Sequence, residues 1–120
     1  MKTFATVAAQ GEITVVRLKD TKAHPRGYTA LTSNGKYAVV GHSETGHHHV
    51  VDARHASIAV KDTVPEGMRV LHMIVSQTTS LDHLRPHDTH ESLRLEPGTY
   101  ELRIGREYDP YADLARQSKD

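Results

Sequence analysis

Residues 68–77 (MRVLHMIVSQ) are the most apolar run of this chain, and they are hydrophobic on both faces. A run of that length and character fits a strand buried in the middle of a sheet. A helix of the same length has the same overall pattern. The β-branched Val70, Ile74 and Val75 favour the strand. The rest of the chain is cut into shorter pieces by turn residues. Residues 13–18 (ITVVRL) are β-prone, and Pro25 and Gly27 mark the loop that follows them. Residues 28–32 and 36–40 flank Asn34-Gly35, which predicts a hairpin, because a type I′ turn needs two positive φ angles. Residues 47–52, 56–60, 91–95 and 99–108 complete the set of extended segments. In the last of these, Tyr100, Leu102 and Ile104 share one face and Glu101 and Arg103 the other. About eight short strands separated by turns predict an all-β fold, a small sandwich or barrel that can be jelly-roll-like. Residues 111–120 predict a short helical turn or tail.

The length of 120 residues fits one domain, read here as residues 1–120 with an N-terminal arm or first strand at 1–11. Hydrophobic residues make up 37%, with one Phe and no Trp, so the core is expected to be small and built from Val, Leu and Ile. Fifteen basic and fifteen acidic side chains balance, and the arginines are dispersed, which gives no electrostatic footprint for nucleic acid. No cysteine is present, so disulfides, thiolate metal sites and Cys nucleophiles are excluded. The N-terminal run is too weak for a signal peptide and too short to span a membrane. The expected setting is cytoplasmic, or a virion if the gene belongs to a phage.

Histidine is the unbalanced residue. Four of the ten lie within residues 41–50 (GHSETGHHHV). On a strand His47 and His49 share a face and His48 takes the other. Two imidazoles on one rigid face make half of a transition-metal site, since neutral imidazole suits zinc, copper, iron and nickel. His42 stands just across the Glu44-Thr45-Gly46 turn. A second cluster, His83, His87 and His90, is able to complete the set, with His90 the best placed. The expected ligands are therefore His42, His47, His49 and His90, with zinc the expected ion. Glu44, Asp88 and Glu91 are candidate ligands or acceptors that orient the rings. The set requires residues 42–49 and 83–90 to meet in space. There is no HExxH helix and no Gly-x-Ser-x-Gly elbow.

Gly41-x5-His47-x-His49 resembles the start of the first cupin motif. Cupins are metal-binding β-barrels of the jelly-roll kind, which agrees with the strand pattern. The Glu of that motif is missing from Asp52-Ala53-Arg54, and Pro97-x-x-Tyr100 has no following His. A wider resemblance runs through Gly41-His42-x-x-Thr45-Gly46-His47-x-His49, Thr89-His90-Glu91, Leu95-x-Pro97-Gly98-x-Tyr100 and Arg106-Glu107-Tyr108-x-Pro110. These segments are similar to a set of small uncharacterised bacterial and phage proteins. That resemblance implies that the two His segments and the Arg-Glu-Tyr stretch belong together, and it allows a virion setting.

The first reading is a non-catalytic, His-rich β-domain whose divalent metal stabilises the fold or a homo-oligomer. In a phage this would suit a capsid-decorating accessory protein. The alternatives are a cupin-like metal-dependent enzyme and a pH-responsive interaction module that holds no metal. No membrane or nucleic-acid partner is expected.

Overall fold

The computed structural model describes residues 1–33, 35–41, 48–83 and 91–105. It is all-β: ten strands form two antiparallel sheets, with no helix among the described residues. The strands are β1 (Val7–Gln10), β2 (Ile13–Leu18), β3 (Tyr28–Ala30), β4 (Tyr37–Gly41), β5 (His49–Asp52), β6 (Ala56–Lys61), β7 (Arg69–Val75), β8 (Thr79–His83), β9 (Leu93–Leu95) and β10 (Gly98–Ile104). One sheet has six strands in the order β1-β2-β10-β7-β6-β3, and the other has four, β4-β5-β8-β9. Their inner faces share a single apolar core, which makes the fold a sandwich.

The chain passes back and forth between the sheets. It leaves the six-stranded sheet after β3, returns after β5, leaves again after β7 and returns after β9. The Asn34-Gly35 hairpin is therefore not formed: β3 pairs with β6 and β4 pairs with β5. The backbone on either side shows why. Leu31 N–H donates to Ile58 O, continuing β3 along β6, while Ala53 N–H donates to Lys36 O, continuing β4 along β5. Long-range pairing in two different sheets overrides the local turn preference. The β5–β6 corner is held by its own chemistry. The Asp52 carboxylate accepts from the Arg54 backbone N–H at 2.9 Å and from the guanidinium at 3.1 and 2.8 Å. Arg54 holds that carboxyl well below the usual carboxylate range.

β7 is central, flanked by β10 and β6. Leu71, Met73 and Val75 face the core; Leu71 lies opposite Leu102, and Met73 opposite Ile58 and Tyr100. Its outer face is covered too, since Val70 and His72 are each 3% exposed. The alternation of β10 holds: Tyr100 and Leu102 are buried and Ile104 packs at the edge of the core. One strand lies outside the predicted set, and another falls within the stretch read as an N-terminal arm or first strand. β1 comes from the N-terminal arm, and residue Lys2 also bridges Leu93 at the edge of the smaller sheet. β8 is absent from the extended segments that the sequence predicts, yet it lies between β5 and β9. The residues of the expected C-terminal helical turn, 111–120, lie outside the described residues, as do Arg106, Glu107 and Tyr108. No helix among the described residues is long and apolar enough to cross a membrane.

Gly41 is set by close approach to the core. The pairing of β4 with β5 shifts between Val39 and Gly41, which places Gly41 opposite His49. A Cβ at Gly41 would lie 2.9 Å from Cδ1 of Ile13 and 3.4 Å from Cδ2 of His49. Ile13 is 1% exposed and has little room to yield. Gly41→Ala is expected to cost about 1–3 kcal/mol through overpacking. Gly35→Ala, where an added Cβ meets nothing within 4 Å, should stay within about 0.5 kcal/mol. Urea midpoints of the two variants measure the difference.

Candidate metal centre

His49 opens β5 on the inner face, in the same row as the core residue Val51. Its cross-strand neighbours are Gly41 on β4 and His83 on β8. The pairing puts His49 and His83 directly opposite each other, and their rings stack with centroids 4.1 Å apart and planes 1° from parallel. His49 is 8% exposed. Across the sandwich, β1 of the six-stranded sheet supplies Gln10, which is 2% exposed.

Gln10 determines the protonation of His49. Its amide nitrogen donates to Leu81 O at 2.9 Å and to Glu91 O at 3.0 Å. Both N–H groups of the amide are thereby used, so the Gln10 oxygen is the acceptor that faces His49 Nδ1 at 2.8 Å. Nδ1 of His49 therefore carries the proton. In the neutral ring the lone pair is on Nε2, the tautomer that a metal takes. Gln10 thus does for His49 what carboxylates and carbonyls do for ligand imidazoles in metal sites.

The same amide gathers the ends of both His-bearing stretches. Gly41 and His49 are paired, His49 and His83 are paired, and Glu91 O is bound by Gln10. Residues 42–47 join Gly41 to His48, and residues 84–90 join His83 to Glu91. The requirement that the two histidine segments approach each other is met by His49 and His83 themselves. Of the four expected ligands, His49 is described; His42, His47 and His90 lie outside the described residues, as do Glu44, His87 and Asp88. Among the described residues no group of three or more His, Asp or Glu side chains is assembled as a ligand set. Glu91 is exposed, and its carboxylate lies 3.5 Å from the amino group of Met1.

A second histidine pair was not expected. His24, from the loop after β2, sets its Nδ1 2.7 Å from Nδ1 of His72 on β7, and its Nε2 2.8 Å from Ser57 Oγ on β6. This pair lies on the outer face of the six-stranded sheet, away from His49 and His83. Burial lowers the pKa of both rings, and for His72 the His24 charge lowers it further while Glu101 raises it. In the sequence His72 is one polar position inside the most apolar run, a hint that something covers it.

The class defined by these observations is an antiparallel sandwich, with ten strands among the described residues and a Gln-locked histidine pair at one end. The chain belongs to the family described as Domain of unknown function (DUF8820), whose model matches residues 9–105. No curated protein and no solved structure matches it.

Proposed function

We propose that the chain is a non-catalytic β-domain that binds a divalent transition metal, zinc by preference, at the His49–His83 end of the sandwich. The observation that carries this reading is the pair of stacked imidazoles with one tautomer set by Gln10. Two nitrogens sharing a tetrahedral zinc, with bonds of about 2.0–2.1 Å, are about 3.3 Å apart. An ion bound by an imidazole lies close to the plane of that ring, so the two parallel rings would have to tilt toward each other to share it. His42, His47 and His90 would complete the set; they are the chain neighbours of Gly41, His48 and Glu91. The ion would fasten the two histidine segments to a core with few aromatics, or join copies of the chain in a homo-oligomer. In a phage the same clamp would serve a capsid-decorating protein.

One observation favours a second reading, a cupin-like metal-dependent enzyme. His49 and His83 face inward, between the sheets, where an open coordination position would be shielded from bulk water. The two readings separate on ligand count: four protein ligands for a clamp, three and a water for an enzyme.

Elemental analysis of untagged protein after zinc loading and desalting tests the proposal. The expected result is about one ion per chain, lost in the His49→Ala/His83→Ala variant. Chelation should lower Tm by about 10 °C, the shift that a ligand at about 100 times its Kd provides. Absence of metal after zinc loading would overturn both readings. Bound metal with an unchanged Tm would favour the enzyme.

A further inference from the structure

We propose that residues 19–27 form a proton-operated latch, closed on the outer face of the six-stranded sheet by the His24–His72 pair and opened by acid. His72 lies on that outer face, opposite Ala59 and Glu101, yet it is as buried as the apolar Val70. The cover is the segment that links β2 to β3. It is pinned near its start, where Thr21 N–H donates to Thr99 Oγ1 at 2.9 Å and Asp20 accepts from Thr99 N–H at 3.3 Å. At its far end Asp62 N–H donates to Gly27 O at 2.8 Å. Between these points His24 is the clasp. It meets His72 edge-on at 84° and reaches Ser57 with its other nitrogen.

Two ring nitrogens 2.7 Å apart need one proton between them. With none, two lone pairs face each other; with two, the N–H groups collide. The closed pair therefore accepts a first added proton but not a second. Once the segment lifts, both rings are solvated and titrate near the ordinary value of about 6.5. The open form thus binds at least one more proton at low pH. Both folded pKa values are lowered, so closure is fully supported above about pH 6.5 and is lost as pH falls below it. One extra proton makes the opening constant rise about tenfold per pH unit in that range.

The other charged groups around the pair work differently. On β10, Glu101 favours the charged form of His72, but its carboxylate is also held by Arg103 at 2.8 Å. On β3 the Tyr28 ring lies against His72, and its strand partner on β6 is Lys61. Within the segment Asp20 is tied to Thr99, and Lys22 and Arg26 are exposed. Among the described residues around the pair, Glu101 is therefore the charge that resists opening. The order Ser57, His24, His72 also matches a hydroxyl, a base and an orienting group. Ser57 stands exposed on the sheet face, however, and acyl transfer needs donors around the reacting carbon. Control of the segment is what the geometry carries.

Amide hydrogen exchange on the full chain at pH 7.5 and 5.5, corrected for intrinsic rates, tests the latch. The Thr21 and Asp62 amides should lose about tenfold protection per pH unit below about 6.5, while the Leu102 amide in the central ladder keeps its protection. In His24→Gln, an exchange on an accessible loop, the two amides should be weakly protected at both pH values. In Glu101→Gln the loss should be steeper than in the parent. Equal protection at both pH values in the parent would overturn the proposal. So would an undiminished pH response in His24→Gln, or loss at Leu102 in parallel with Thr21.

Discussion

Gln10→Leu is expected to destabilise the fold by about 3–5 kcal/mol, although the two side chains are similar in volume. The reason is the number of buried polar groups that one amide satisfies. Gln10 donates to two carbonyls, Leu81 O and Glu91 O, and accepts from His49 Nδ1. Leaving a buried polar group without its partner costs about 1–3 kcal/mol. Leu81 and His49 are both buried, whereas Glu91 is exposed, so its carbonyl recovers water more easily. Two full penalties and a smaller third give the expected range. Urea unfolding should show it as a lower midpoint with an unchanged m-value. Gln10→Glu separates the two halves of the network. It keeps an acceptor for His49 Nδ1 but turns carboxylate oxygens toward two carbonyls. It should therefore destabilise as well, while raising the His49 pKa through the new negative charge. If the His49–His83 end holds a metal, Gln10→Leu should also weaken it about 10–100-fold, the usual effect of removing an orienting partner. Stability within 1 kcal/mol of the parent in Gln10→Leu would show that the amide is not the joint between the sheets.

Residues such as Gln10 show where reading the chain stops. The fold class was legible because β7 and β10 carry strong patterns: apolar on both faces in one, strict alternation of Tyr100, Leu102 and Ile104 in the other. β8 was not legible, because Thr79-Ser80-Leu81-Asp82-His83 has a single apolar side chain, and one inward Leu81 does not make a visible period. That omission had a chemical consequence. Without β8 nothing in the sequence sets His83 apart from its cluster and His90 is the expected ligand, yet His83 is the residue that the sheet places on His49. The Asn34-Gly35 signal failed for a different reason. It reports a local preference, whereas the partners of β3 and β4 lie in separate sheets. Gln10 and His24 are single polar residues whose roles come entirely from elements distant in the chain. The pairing of Gln10 with His49 is a property of how two sheets face each other, and no periodicity within either strand encodes it.

Tyr100→Ala should be equally damaging, at about 3–5 kcal/mol, the range for removing a buried aromatic. Tyr100 is 1% exposed at the centre of β10, paired with Arg17 of β2 on one side and Met73 of β7 on the other. Phe4 packs on its ring at 6.1 Å, and the Arg17 guanidinium sits 5.6 Å from the ring centre. Its hydroxyl donates to Glu96 O at 2.6 Å, tying the strand to the turn before it. In a chain with one Phe and no Trp, this ring is a large share of the aromatic packing. Tyr100→Phe divides the loss: it keeps the ring and removes one hydrogen bond, for about 0.5–1.5 kcal/mol. Burial pushes the phenol pKa up, so the hydroxyl stays protonated and keeps donating throughout the range in which histidines titrate. The cost of either substitution should therefore be the same at pH 7.5 and 5.5, in contrast to the response of the His24–His72 pair. Denaturant titrations at the two pH values distinguish the cases. A cost for Tyr100→Phe that matched Tyr100→Ala would place the stabilisation in the Glu96 contact and not in the ring, and would contradict the packing account.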